Sequence, residues 1–481
     1  LTSIVWFRDD LRIDDNPALA AAAAAGKPAA AIYVLETENC GPRALGGAAR
    51  WKLHGALSAL RADLATLNIP LILCQGDARV LAPTFAARLE ARRFFWNRRY
   101  EPAAVAYDKT IKATLSAAGL QPESFNGALL VEPWDVSTGS GGFYKVFTPF
   151  CKAARASGRD LRPCAAPRPL PEWRTTPDLG DRLDDWGLRP TKPNWAAQME
   201  ETWPHGGQAA AEAFTEFLNQ GFAGYAKGRD FPATTHCSRL SPHLRFGEIS
   251  PRRARALALR AAEASAGAHD SDFEAFEREL YWRDFAYNLL FHADPLASQN
   301  FQKKFDDFPW RRDEIALKAW QDGQTGYPII DAGMRQLWQT GWMHNRVRMA
   351  AASFLTKHLM IDWRAGERWF WDTLVDADVA SNPSNWQWVA GSGADAAPYF
   401  RIFNPISQGE KFDGDGAYVR QWVPEIASLP DKYLHAPWTA PAGVLRDAGV
   451  ELGNTYPAPI VDHKAARQRA LEAFKSISPA A

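Results

Sequence analysis

Between Thr340 and Phe403 the chain gathers side chains suited to a flat, charged ligand. Thr340-Gly-Trp-Met-His-Asn-Arg-Val-Arg-Met349 opens the stretch, Asp376-Ala377-Asp378 and Asn382 follow, and Trp386-Gln-Trp388 and Pro398-Tyr-Phe-Arg401-Ile-Phe403 close it. Aromatic rings interleaved with Arg are the composition expected where bases stack and phosphates are neutralised. On a helix after Gly341, Asn345, Arg348 and Met349 stand at i, i+3 and i+4 and share a face, while Arg346 points elsewhere. An amide and a thioether suit the edge and ring of a pyrimidine; a capped helix start with its arginines in solvent is the structural alternative. Asp376 and Asp378 flank one residue. That spacing can hold a divalent metal for a phosphate substrate, cap a helix, or bind N–H edges of a cofactor with Arg348 or Arg283 as salt partner. Trp386 and Trp388, two apart in an extended or irregular segment, would face opposite ways, and periodicity cannot place Trp310 and Trp363 in line with them.

Two further groups lie upstream. In Phe276-Glu-Arg-Glu279-Leu-Tyr-Trp282-Arg283 the residues 279, 282 and 283 share one helix face. A carboxylate, an indole and a guanidinium placed so can hydrogen-bond a base, stack on it and hold a phosphate; a surface ion pair beside a half-buried Trp is the plainer reading. Tyr225-Ala-Lys-Gly-Arg229 leads to His236-Cys-Ser238-Arg239-Leu240-Ser241-Pro242. Hydroxyls and backbone N–H groups in such a loop take phosphate oxygens, or merely cap the next helix as an ST-turn.

The elements that must position these groups divide the chain. At 481 residues it is too long for one core. The order strand Ile4–Phe7, helix Pro17–Ala25, strand Ala30–Leu35, helix Gly47–Leu67, strand Pro70–Cys74, helix Arg79–Arg92, strand Phe94–Asn97 and helix Ala103–Ala118 predicts a parallel, Rossmann-like sheet with helices on both faces. The turn after the first strand, Arg8 to Asn16, has no glycine for a dinucleotide fingerprint. From Leu130 to Pro204 the periodicity breaks into Gly, Pro and Ser. Beyond Gly207 it is helical, clearest over 209–219, 251–266, 272–292, 327–340 and 346–358. The expected division is an α/β domain at 1–131, a long linker at 132–205 and an all-α domain at 206–481.

Formal net charge is 0, so attraction to nucleic acid must come from a local basic patch. Five cysteines, at 40, 74, 151, 164 and 237, show neither metal nor disulfide spacing, which fits a reducing cytoplasm. No signal peptide and no membrane-spanning apolar run is visible, and a start at Leu1 predicts that a native first residue is missing. Of the 20 Trp, twelve follow residue 270, more than core packing calls for in that half.

Those motifs resemble the photolyase/cryptochrome family. So do Ile4-Val-Trp-Phe-Arg-Asp-Asp-Leu-Arg12, Tyr144-Lys-Val-Phe-Thr-Pro-Phe150, Asp395-Ala-Ala-Pro-Tyr-Phe-Arg-Ile-Phe-Asn-Pro405 and Tyr456-Pro-Ala-Pro-Ile-Val-Asp-His-Lys464. Within the family the resemblance is to the bacterial enzymes of cyclobutane pyrimidine dimer repair. It implies an N-terminal antenna domain and a helical domain that binds FAD, active when reduced, and a flipped-out lesion in DNA. Tyr225, Ser238, Arg239, Leu240 and Ser241 would meet the FAD phosphates, with Cys237 standing where the family usually has Thr or Ser. Arg348, Asp376, Ala377, Asp378 and Asn382 would surround the isoalloxazine, joined by Trp282, Arg283 and Asn345. Photolyases carry Asn at the position of Asn382, plant cryptochromes Asp and animal ones Cys. Trp386, Trp363 and Trp310 match the electron-transfer chain. Glu279 and Asn345 would hydrogen-bond the dimer, Trp282 and Trp388 pack on its rings, Met349 lie beneath, and Arg229, Arg346 and Arg401 meet phosphates. Glu279, Asn345 and Asn382 are the residues assigned to catalysis. The (6-4) branch has His at both the Asn345 and Met349 positions, and the iron–sulfur branch needs four C-terminal cysteines; this chain has neither pattern.

The implied reaction is light-driven transfer of an electron from reduced FAD to the dimer and back. UV-damaged DNA is the expected partner, with no membrane, no obligatory protein partner and a monomeric state. A second antenna chromophore is expected, methenyltetrahydrofolate favoured, although the folate contacts of one branch are not matched around Ala297 and Ser298. Two alternatives stand beside this: a cryptochrome-type light sensor, and a metal-dependent nucleotide enzyme using Asp376 and Asp378.

Overall fold

The computed structural model describes residues 2–36, 43–173, 179–293, 295–395 and 400–477. Cys40 and part of the Asp395–Pro405 motif, Pro398 and Tyr399 included, lie outside the described residues. Contacts divide the chain into two compact units. The first comprises Leu1–Ala223, Ser238–Asp294 and Val375–Ala380; the second comprises Gly224–Cys237, Pro295–Leu374 and Ser381–Ala481.

The first unit begins with strands β1 (Thr2–Phe7), β2 (Ala29–Glu36), β3 (Leu71–Gly76), β4 (Ala91–Asn97) and β5 (Gln121–Phe125). They form one parallel sheet in the order β3-β2-β1-β4-β5. Strand alternation sends Val5 and Phe7 to one face and Ile4 and Trp6 to the other. Val5 and Phe7 pack with α1 (Pro17–Ala24) and α2 (Gly47–Ala65) through Leu19, Leu53 and Leu57. Ile4 and Trp6 pack with α3 (Ala78–Arg88) and α4 (Pro102–Ala117) through Phe85, Ile111 and Leu115. Both faces are therefore dry, which is why β1 and β2 read as unbroken apolar runs.

Two local departures from the sequence reading have physical causes. The helix expected to reach Arg92 stops at Arg88, because Glu90 takes a positive φ of 47° and turns the chain into β4. Strand β5, Gln-Pro-Glu-Ser-Phe, has no apolar alternation to betray it and exists because the edge of β4 offers it hydrogen bonds. The stretch 132–205 carries a helix, α5 (Phe147–Ala156), with smaller turns at Leu183–Trp186 and Ala197–Thr202. Helices Gly206–Gln220, Ser241–Arg245, Pro251–Ala264 and Asp270–Ala293 also belong to the first unit.

The second unit is helical. Gly341, at φ 67°, ends the Pro328–Thr340 helix in the left-handed conformation that glycine adopts without strain. The His344 side chain then caps Asn345–Ser353 by accepting from Arg346 N at 3.2 Å. The helix expected over 346–358 is this α-helix followed by a π turn at Phe354–His358. Trp363–Thr373 is capped by Asp362. Trp386 and Trp388, read as extended or irregular, lie on the helix Ser381–Ala390. Pro383 sits in its first turn, where a missing N–H costs nothing. Two residues apart on a helix is about 200°, so the two indoles still diverge: Trp386 is buried and Trp388 half-buried.

Candidate cofactor and nucleic-acid site

In the first unit the Asp270–Ala293 helix presents Glu279, Trp282 and Arg283, all half-buried. The Trp282 ring lies flat on Phe147, with centroids 3.6 Å apart and planes 6° apart, and Phe285 meets it edge-on at 5.8 Å. A stacked aromatic pair contributes about 0.5–1.5 kcal/mol beyond its buried area, so one face of the indole is covered and its pose set. Arg283 donates to Ala128 O at 2.5 Å and lies 4.9 Å from the Tyr287 ring centroid. The next residue, Asp284, docks the helix. Its Oδ2 accepts Leu130 N and Val131 N, both at 2.9 Å. Burial pushes this carboxyl up to about 7, against the pull of those N–H groups and of Arg283.

Asp378 sits on the Val375–Ala380 segment of the same unit. Its Oδ2 accepts from Tyr287 Oη at 2.7 Å and its Oδ1 from Ala380 N at 3.0 Å. Ala377 O accepts from Arg245 Nε at 2.7 Å, while Arg245 Nη1 reaches Asp9 at 2.6 Å. Burial and Asp378 together raise the Tyr287 hydroxyl well above its ordinary value, so this hydrogen bond keeps its proton. Asp376, two residues before Asp378, is also buried. Six residues before Arg245, Arg239 adopts φ 50° and Leu240 is right-handed at φ −76°, ψ −12°. Such alternation of hand turns successive N–H groups to one concave side, the geometry that receives phosphate oxygens. Ser238 is half-buried and Ser241 exposed, whereas the Leu240 side chain is buried and only its backbone can serve a ligand.

In the second unit, Tyr225 is buried with Arg229 5.4 Å from its ring centroid. Arg346 pairs with Asp230 at 2.7 Å and lies over Phe412 at 4.4 Å. Arg348 Nε donates to Met343 O at 2.7 Å. Asn345 is exposed, Met349 half-buried and Arg401 exposed. Burial holds His344 down at about 4, so it is neutral when it caps this helix. Asn382 is the most constrained residue of the set. Its Nδ2 donates to Glu367 O at 3.1 Å and to Glu367 Oε1 at 2.9 Å, which spends both amide hydrogens and leaves the amide oxygen to act as an acceptor.

Of the three indoles expected in electron transfer, two are buried and one is half-buried. Trp386 is 2% and Trp363 0% exposed, while Trp310 is half-buried. Trp363 Nε1 donates to Asn300 Oδ1 at 2.9 Å. Trp386 meets Phe370 at 4.9 Å and Trp320 at 6.1 Å, both edge-on. Gly366 admits it: a Cβ there would stand 2.1 Å from Trp386 Cη2. Trp310 packs on Phe308 at 4.4 Å, and Trp388 Nε1 donates to Asp395 O at 3.0 Å.

Among the described residues no cluster of three or more His, Cys, Asp or Glu could hold a metal, and no helix is long and apolar enough to cross a membrane. Sequence reasoning missed Phe147, Tyr287, Arg245 and Glu367. Tyr287 stands one turn beyond Arg283 and was open to the same i, i+4 reasoning; the others touch their partners across long sequence separations and left no local signal.

A family model described as DNA photolyase matches residues 3–172, and one described as FAD binding domain of DNA photolyase matches 276–476. A deoxyribodipyrimidine photo-lyase of Agrobacterium fabrum (strain C58 / ATCC 33970) is 51% identical over 476 residues, covering 98% of each chain. Cryptochrome-1 of Arabidopsis thaliana is 37% identical over 99% of this chain and 70% of its own. A crystal structure of a bacterial class III photolyase from Agrobacterium tumefaciens superposes with a TM-score of 0.94 at 50% identity, covering 99% of this chain and 97% of that one. An archaeal photolyase from Sulfolobus tokodaii, solved with two FAD molecules, has a TM-score of 0.79 at 28% identity, covering 99% of this chain and 100% of its own. Matched at both ends and along nearly all of its length, the chain belongs to the photolyase/cryptochrome family.

Proposed function

We propose that this chain is a light-dependent deoxyribodipyrimidine photo-lyase acting on cyclobutane pyrimidine dimers in UV-damaged DNA. The observation that carries the reading is Trp282, backed by Phe147 at 3.6 Å on the helix that also presents Glu279. A half-covered indole is a platform for one flipped base. Base–aromatic stacking is worth about 1–3 kcal/mol per base, and a damaged base leaves the duplex stack more cheaply than a normal one, which favours its capture.

Reduced FAD, when bound, supplies the light-driven electron that opens the cyclobutane ring. The residues fit that group: the amide oxygen of Asn382, whose two hydrogens are spent on Glu367, would accept an N–H of the ring system, and the N–H groups and hydroxyls of the 238–241 loop would hold a diphosphate. In this reading Tyr225, Ser238, Arg239, Leu240 and Ser241 bind the phosphates. Arg348, Asp376, Ala377 and Asp378 orient the isoalloxazine, with Trp282, Arg283 and Asn345 on the lesion side. Glu279 and Asn345 hydrogen-bond the dimer, Trp282 and Trp388 flank it, Met349 lies beneath, and Arg229, Arg346 and Arg401 neutralise phosphates. Trp386, Trp363 and Trp310 refill the cofactor with electrons. The α/β part at 1–131 carries a second, light-harvesting chromophore, methenyltetrahydrofolate favoured, and the linker 132–205 leads to the 206–481 part. The enzyme works as a monomer in the cytoplasm.

The test is loss of dimers from a short irradiated oligothymidine, in light and in darkness, with the flavin chemically reduced. Repair in light alone supports the proposal. Bound, photoreducible FAD without repair points to the sensor reading, and folded protein that binds no flavin refutes both.

A further inference from the structure

The first unit contains a fully buried ion pair that the proposed chemistry does not use. Lys52, on α2, and Glu248 are both without solvent exposure, and Lys52 Nζ lies 3.0 Å from Glu248 Oε2 and 3.1 Å from Oε1. Removing two charges from water usually costs as much as their attraction returns, so such a pair is a poor source of stability. What it does here is join backbone segments. Lys52 Nζ also donates to Pro204 O at 2.8 Å and to His205 Nδ1 at 3.2 Å. Glu248 Oε1 accepts Gly206 N at 2.7 Å, and Oε2 accepts His243 Nδ1 at 2.5 Å.

Both segments joined in this way bear on residues 238–241. From one side, Trp203, next to Pro204, lies beneath the Arg239 guanidinium at 4.6 Å. From the other, His243 stands two residues after Ser241. Between these supports Arg239 holds φ 50°, a conformation that L-residues keep only when their surroundings over-determine it. α2 is also shaped to receive the 203–206 segment. A Cβ on Gly55 would stand 2.3 Å from the His205 ring, and Trp51 packs on that ring at 5.1 Å.

We infer that Lys52 is a positioning residue for the FAD diphosphate: through Glu248, His243 and the 203–206 segment it holds the 238–241 loop in its phosphate-binding shape. A helix that flanks the sheet thereby governs how long the cofactor stays bound. The inference rests on the proposed role of that loop.

The test is the rate of FAD release from holoprotein, read as the return of flavin fluorescence, together with the flavin absorption band and the thermal midpoint. Lys52→Met is expected to release FAD about tenfold faster, equivalent to a tenfold loss of affinity, with the flavin band unaltered. Lys52→Arg, which keeps the charge and the donors, is expected to restore most of the retention. Arg8→Met breaks another buried pair of this unit, Arg8 with Asp108, and is expected to lower the midpoint without changing release. Should Lys52→Met fail to fold, Glu248→Gln carries the same test with an isosteric side chain. Adding Lys52→Met to the double variant Ser238→Ala/Ser241→Ala is expected to give less than the product of the separate effects, because coupled residues are not additive. Release at the wild-type rate from folded Lys52→Met overturns the inference, as does an effect that Arg8→Met reproduces. If Ser238→Ala/Ser241→Ala itself leaves release unchanged, the loop assignment is wrong and the inference falls with it.

Discussion

Replacing Asp284 by Asn should make the protein more stable at alkaline pH and remove part of its pH dependence. Asp284 is buried on the helix that carries Glu279 and Trp282; its Oδ2 accepts two backbone N–H groups, and its Oδ1 is buried without a partner. Burial pushes the carboxyl from an ordinary 3.8 up to about 7. A rise of about three in pKa corresponds to about 4 kcal/mol. Because the folded-state pKa is the higher, the associated stability is complete below about pH 4 and is lost as pH climbs through 7. About 3 kcal/mol of it disappears between pH 5 and 8.5. An Asn amide keeps the oxygen that accepts both N–H groups and puts an NH2 in place of the bare oxygen. Asn288, one turn on, has its own buried Oδ1 without a partner and can accept from it. The assay is urea unfolding of wild type and Asp284→Asn across pH 5 to 8.5, where every other titrating group cancels in the difference. The variant should gain about 3 kcal/mol relative to wild type over that range. A difference that stays flat with pH, or moves against the variant as pH rises, would refute the reasoning.

Phe147→Ala removes the ring behind Trp282 and should weaken binding to dimer-containing DNA by about 2- to 10-fold, the worth of one aromatic stack; fluorescence anisotropy measures it, and undiminished affinity would mean that the stack does not set the indole's pose. Trp386→Phe should abolish photoreduction of the oxidised flavin, followed by absorbance, yet leave repair by chemically reduced protein intact; a loss of both activities would remove Trp386 from the electron-supply role.

Much of the architecture was legible because it depends on short-range pattern. The dry faces of β1 and β2 demand unbroken apolar runs, α1 begins with Asn16 before Pro17, and Gly341 ends its helix by supplying a positive φ. The grouping of Glu279, Trp282 and Arg283 follows from helical spacing alone. The family itself rests on motifs that extend from Ile4 to Lys464, and the matched family models agree.

Other features only the tertiary structure decided. The helix at Ser381–Ala390 hid in the sequence because Asn, Pro, Ser and Trp have no strong preference for it; packing chose it, with Gly366 opening the space that Trp386 fills. Strand β5 needed the edge of β4, and the turn at Glu90 needed the sheet. The partners that aim the functional side chains stand far away along the chain: Phe147 behind Trp282, Glu367 behind Asn382, Lys52 behind Glu248. Residue type and spacing determine what chemistry a segment can perform, since those are local properties. Which hydrogen of an amide is already spent, and which face of an indole is already covered, depends on contacts between segments that, in these pairs, stand 15 to 196 residues apart along the chain, and those exist only once the chain has folded.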